Sequence, residues 1–223
     1  MKDSRLICIF TLFFLVAFPA ISGDSSSSNE GSGESVLSRF SAEQQEKLLA
    51  GEVVFEYVLK DTRDATDTES TTKGYGKAIT IVNAPVEEGF KIFCQHEKEY
   101  LYFPRMTVSK VLKTHGNEAI VYKELDYTVA TVRYTHVMTI VPEAHRVDFT
   151  MDPTGVNDIK ASEGYFQFES FDDKRSLFTY ALLNADIGVA VPEFIKKYIS
   201  SRDLPEVAAN VKKRIESGGK WEK

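Results

Sequence analysis

Residues 78–93 read AITIVNAPVEEGFKIF. The first part, within Lys77–Asn83 (KAITIVN), is β-branched and short, and predicts a strand. Ala84-Pro85 then opens a helix, because proline near the first helical position has no N–H to leave unpaired. Val86, Phe90, Phe93 and Cys94 recur at spacings that put them on one helical face. The helix frays through Tyr100-Leu101-Tyr102-Phe103 and ends at Pro104. A strand that runs straight into an amphipathic helix needs a sheet on one side and a layer to pack on the other.

Downstream, six more strands are predicted: residues 107–113, 118–127, 130–141, 146–151, 164–171 and 176–184. Each is rich in Val, Ile, Tyr, Phe or Thr. Turn signals separate them, among them His115-Gly116-Asn117, Pro142-Glu143-Ala144, Asp152-Pro153-Thr154-Gly155 and Asp172-Asp173-Lys174. Links this short join antiparallel neighbours. One face of such a sheet must be covered. The cover is a C-terminal helix on which Phe194, Ile195, Tyr198, Ile199, Leu204, Ala208, Val211 and Ile215 share a side. Pro205 should kink or restart it near Arg202-Asp203, and Gly218-Gly219 ends it.

Upstream, Ser41 and Gln44 have the spacing of a capping box, and Gly51 closes that short helix. Alternating Val53, Phe55, Tyr57 and Leu59 predict a strand over 52–60. The acidic stretch 61–72 (DTRDATDTESTT) lacks the glycine and terminal glutamate of a calcium loop and reads as a solvated hairpin loop.

The order of elements, and three stretches in particular, resemble a known family. AITIVNAPVEEGFKIF is similar to the opening strand and helix of the START-like, polyketide cyclase and coenzyme Q-binding superfamily. NDIKASEGYFQFESFDDKRSLFTYAL, residues 157–182, resembles its penultimate strand pair, and VPEFIKKYISSRDLPEVAANVKKRIES, residues 191–217, its last helix. The resemblance covers residues 73–217. It implies an α+β helix-grip fold, a curved antiparallel sheet wrapped around a long C-terminal helix, with a cavity for a lipid, sterol, quinone or polyketide-like molecule between them. It carries no catalytic motif.

The start of the chain reads as an address. Lys2 and Arg5 precede the apolar run 6–20 (LICIFTLFFLVAFPA), and Pro19 with Ala20-Ile21-Ser22-Gly23 supplies small residues at cleavage spacing. This is the form of a signal peptide over 1–22, too short to span a bilayer comfortably. Residues 23–35 (GDSSSSNEGSGES) read as a flexible Ser/Gly-rich spacer. Residues 36–72 form an N-terminal helix and strand extension, and 218–223 a tail. No cysteine stands at the end of the apolar run, so a lipid anchor there is not expected, and an exported, periplasmic protein is.

Composition narrows the function. Of 223 residues, 43% are hydrophobic and 27% charged, as in an ordinary globular protein. The formal net charge is -6, and near -7 once a leader carrying Lys2, Arg5 and Asp3 is removed. That argues against a nucleic-acid partner bound through phosphates and against steady attraction to anionic lipid. Four His and two Cys, one of them Cys8 in the leader, leave little for metal or thiol chemistry. No H-E-x-x-H, G-x-S-x-G or G-x-G-x-x-G pattern is present, and neither metal nor cofactor is expected.

The candidate site is therefore an apolar wall. On strand 130–141, alternation separates Val132, Tyr134, His136, Met138 and Ile140 from a more polar set, and the bulkier set is placed inward. The same reasoning places Phe149 and Met151 inward, then Phe166 and Phe168, then Phe178, Tyr180 and Leu182. Phe90, Phe194 and Tyr198 close the space from the helices. His136 and Tyr180 are the weak catalytic candidates, since an inward His can donate to a ligand carbonyl or act as a base. Two apolar loops, with Tyr100, Tyr102 and Phe103 on one and Ile187 and Val189 on the other, are placed at the cavity rim, where they could touch a membrane briefly. Arg133 and Glu169 are read as an exposed cross-strand pair. The leading function is an exported protein that binds or shuttles a hydrophobic small molecule. The alternatives are a cyclase- or hydrolase-type enzyme using the same cavity and a ligand-free interaction protein.

Overall fold

The structure, a computed structural model, describes residues 30–62, 71–186 and 202–223. The predicted leader, most of the spacer and the tip of the acidic loop lie outside these residues. So does the first half of the terminal helix, with Ile187, Val189, Phe194 and Tyr198.

Among the described residues two short helices come first, α1 (Glu30–Leu37) and α2 (Ala42–Leu49). Part of the predicted spacer is thus helical, because Val36, Leu37 and Phe40 find an apolar partner in the Leu48, Val54, Ile81, Phe171 and Leu177 cluster. The Ser41–Gln44 capping box forms in both directions, with Ser41 Oγ accepting from Gln44 N at 3.3 Å and Gln44 Oε1 accepting from Ser41 N at 2.9 Å.

Strands β1 (Val54–Thr62) and β2 (Thr71–Val82) follow, then α3 (Val86–Phe93). A 3-10 helix, His96–Leu101, replaces the predicted fraying end of α3. Then come β3 (Met106–His115), β4 (Glu118–Asp126), β5 (Thr131–Val141), β6 (Arg146–Met151), β7 (Ala161–Ser170), β8 (Ser176–Asp186) and the C-terminal helix α4 (Leu204–Glu216). Pro205 sits in the first turn of α4, where its ring needs no donor.

The eight strands form one antiparallel sheet in the order β1-β2-β8-β7-β6-β5-β4-β3. It is open, with β1 and β3 at its edges, so the N-terminal strand extends the sheet. The central crossover comes from β2 pairing with β8, which leaves the chain between them to run out to β3 and return strand by strand. Helices α3 and α4 pack on the inner face, against β2, β7 and β8 and against each other. This is the α+β helix-grip arrangement.

Register turns alternation into a wall. On the inner face Met138 lies opposite Phe149, Phe149 opposite Gly164, and Gly164 opposite Leu182. The next row runs Val147, Phe166, Tyr180, Ala78. Phe93 of α3 packs its ring 4.7 Å from Phe166 and 5.8 Å from Phe178. Burying aromatic side chains in contact yields both transfer energy and ring-pair attraction.

Candidate functional site

Between the inner face of the sheet and the start of α4 lies a cavity of about 100 Å³. Leu125, Val132, Phe149, Ile159, Phe166, Leu182, Ala185, Leu204 and Val207 give it an apolar wall, and Phe103-Pro104 close one side. The aromatic part is a continuous row. His136 stacks on Phe149 at 5.0 Å, Phe149 lies 5.2 Å from Phe166, and Phe166 stacks on Tyr180 at 4.6 Å.

Of the residues placed inward by alternation, Val132, Tyr134, His136, Phe149, Phe166, Tyr180 and Leu182 line this cavity, as does Phe103. Others lie elsewhere. Met138, Phe168 and Phe178 are fully buried in the packed core. Phe90 meets His145 edge-on at 5.5 Å and Phe168 at 6.3 Å, beneath α3 rather than at the cavity. Met151 is half-buried, opposite His136 at the end of β6.

The rim expectation needs correction. Tyr102 is 1% exposed and belongs to the core, and Phe103 is buried with it. Only Tyr100 of that aromatic stretch is exposed. The 3-10 helix turns Tyr102 inward, where Asn210 Nδ2 donates to its carbonyl at 3.0 Å and holds it against α4. The Arg133–Glu169 pair does not form, because β6 separates β5 from β7. Arg133 instead pairs with Asp158 at 2.9 Å, and Glu169 with Arg39 at 3.0 Å.

Sequence reasoning missed the polar end. Lys123 of β4 is 2% exposed, and its Nζ lies 2.6 Å from Glu99 Oε2. Glu99 is fully buried, and its other oxygen is 2.8 Å from His96 Nδ1. Ser109 Oγ donates to the His96 carbonyl at 2.6 Å, fixing that 3-10 helix to β3. Burial alone would raise the Glu99 carboxyl, but the Lys123 charge and the His96 contact outweigh it and hold the group down at about 2. The Lys123 ammonium also sits 3.9 Å from Met138 Sδ and 5.8 Å from the Phe103 ring centre.

His136 is the diagonal neighbour of Lys123 on the inner face, since Val121 opposes His136 and Lys123 opposes Tyr134. It is 6% exposed, and among the described residues neither ring nitrogen has a hydrogen-bond partner. Burial, reinforced by the Lys123 charge, pushes its protonation well below the usual histidine range, so the ring is neutral.

Where α4 begins, Tyr127 and Asp203 both line the cavity, and the Tyr127 hydroxyl donates to Asp203 Oδ2 at 2.6 Å. Burial raises the Asp203 carboxyl. Cys94 is half-buried and its thiol is pushed up to about 12, chiefly by burial, which makes it a poor nucleophile. Among the described residues no group of His, Cys, Asp and Glu could hold a metal ion. None of their helices is long and apolar enough to cross a membrane.

No protein-family model and no curated protein matches the sequence. Solved structures match the fold. A STAR-related lipid transfer protein from Xanthomonas axonopodis superposes with a TM-score of 0.54 at 12% identity, over 70% of this chain and 98% of that one. A START superfamily protein from Mycobacterium smegmatis gives 0.53 at 14% identity, over 75% and 99%. The Zhui aromatase/cyclase from Streptomyces sp. R1128 gives 0.51 at 14% identity, over 74% and 99%. The chain thus has the helix-grip fold of the START-like and aromatase/cyclase structures.

Proposed function

We propose that this chain is an exported carrier that binds one compact apolar molecule in the cavity between the sheet and α4. The observation that carries this reading is the cavity itself. It is apolar over most of its wall, yet holds a buried imidazole with no hydrogen-bond partner among the described residues. Ligand sites combine apolar walls with a few converging polar groups in this way. The fold likeness to lipid transfer and aromatase/cyclase structures points the same way. The apolar run behind Lys2 and Arg5 supports export.

Volume sets the scale of the ligand. A dry cavity of ~150 Å³ takes up a benzene ring, and this one holds about 100 Å³. A single ring or short chain suits it. A sterol- or polyketide-sized guest exceeds this volume.

Native mass spectrometry of the full chain from its own host tests the reading. The expected spectrum shows a small-molecule adduct that a cavity-filling Leu182→Trp variant lacks. Repeated ligand-free spectra would sink the proposal.

The cyclase-type alternative would use His136 as a base. A neutral imidazole held far below its usual protonation range is a weak base, so binding is the better-supported role.

A further inference from the structure

The polar end of the cavity has a chemistry more specific than its apolar wall. Histidine in its neutral form offers one N–H donor and one lone-pair acceptor. Both ring nitrogens of His136 are buried without a partner among the described residues, and buried polar groups are rarely left so. Packing holds the ring in place, against Phe149 at 5.0 Å and Tyr134 at 4.8 Å. Beside it, the Lys123 ammonium carries three donors. One faces Glu99 at 2.6 Å, and the sulfur of Met138 at 3.9 Å is a weak second acceptor. Both side chains line the cavity.

We infer that the Lys123–His136 end of the cavity binds a neutral oxygen, a hydroxyl or carbonyl, on a single-ring ligand and discriminates against a carboxylate. This rests on the ligand-binding reading above. A hydroxyl both accepts and donates, and so satisfies an imidazole and an ammonium proton together. A carbonyl oxygen accepts from both groups. A carboxylate meets a different balance of charge. The single positive charge of Lys123 is already matched by Glu99, and the neutral His136 adds none. A second buried anion would therefore be uncompensated, a state that proteins avoid. A hydrocarbon would leave the His136 nitrogens unpaired.

Three probes of one size separate these cases: benzyl alcohol, toluene and benzoate, each titrated into the full chain by calorimetry and ¹⁵N NMR of the His136 ring. Benzyl alcohol is expected to bind at least tenfold tighter than toluene and than benzoate, and to shift the imidazole nitrogen signals. His136→Phe should bring benzyl alcohol to the level of toluene while toluene binding persists. His136→Gln, which keeps a donor and an acceptor, should retain a preference for the alcohol, and it serves if the Phe variant does not fold. Equal binding of toluene and benzyl alcohol overturns this inference and leaves the carrier reading standing. Tightest binding of benzoate also overturns it, and assigns the end to anions. Failure of all three probes overturns the cavity reading itself.

Discussion

The Tyr127 hydroxyl donates to Asp203 Oδ2 at 2.6 Å and so ties the turn after β4 to the residue before α4, and both residues line the cavity. The guanidinium of Arg105 lies over the Tyr127 ring at 5.2 Å, with Nε 3.4 Å from Asp203 Oδ1. A hydrogen bond to a mostly buried carboxylate is worth about 1.5–3 kcal/mol. Tyr127→Phe keeps the ring and removes the donor. Urea unfolding should show a loss within that range with an unchanged slope. An unaltered midpoint would mean that the contact does not hold the turn after β4 to α4.

The Glu99–Lys123 pair predicts a non-additive pattern. Both partners are almost completely buried. Lys123→Met leaves the Glu99 carboxylate without its countercharge, and removal of one partner of a buried pair costs about 3–5 kcal/mol. Lys123→Met combined with Glu99→Gln removes both charges. The double variant should be more stable than Lys123→Met alone in thermal or urea unfolding. If the two losses simply add, the ion pair is not the source of the effect.

The strand–helix stretch 78–93, the meander and the terminal helix follow from local pattern, because alternation and helical spacing are local properties. Lys123 was within reach. Ala119, Val121, Lys123 and Leu125 share one phase of β4, so a lysine stood in an apolar row. Glu99 was not. Its partner lies 24 positions later, on a strand reached only after a hairpin, and a 3-10 helix gives no strong periodic signal. The Arg133–Glu169 pairing failed for a related reason, since strand order across the sheet is a tertiary fact. Cavity-lining residues were recovered where they lie on central strands near α4. Met138, Phe168 and Phe178 share their inward phase but are buried in the packed core, with Phe93 of α3 against Phe168 and Phe178.

The same Glu99 predicts a pH dependence. Its folded carboxyl is held at about 2, against ~4.3 for an unfolded glutamate. The folded state therefore binds this proton less readily than the unfolded state. The stability it contributes is fully present above pH ~4.3 and drains away as pH falls toward 2. Carboxyl-carbon NMR should show Glu99 still ionised at pH 3.5, where exposed glutamates are already mostly protonated. A Glu99 midpoint near 4 or above would contradict the pairing.

Gly164 offers a test of the wall itself. It stands on β7 opposite Phe149, at a register shift between Glu163 and Gly164. A Cβ at this position would overlap the Ala181 carbonyl oxygen and lie 2.6 Å from Phe149 Cζ. Backbone of the neighbouring strand cannot yield as a flexible side chain can, and Phe149 is 2% exposed between His136 and Phe166. Gly164→Ala should therefore cost more than ~3 kcal/mol, in the range of severe overpacking. Gly116 provides the contrast. Its φ is +58, and nothing lies within 4 Å of a Cβ built there. Gly116→Ala then meets only the backbone penalty of a left-handed residue, about 1–2 kcal/mol. Measured side by side in urea, the first should destabilise well beyond the second. Equal losses would show that Phe149 and β8 can move aside, and that the aromatic row is less rigid than its close contacts require.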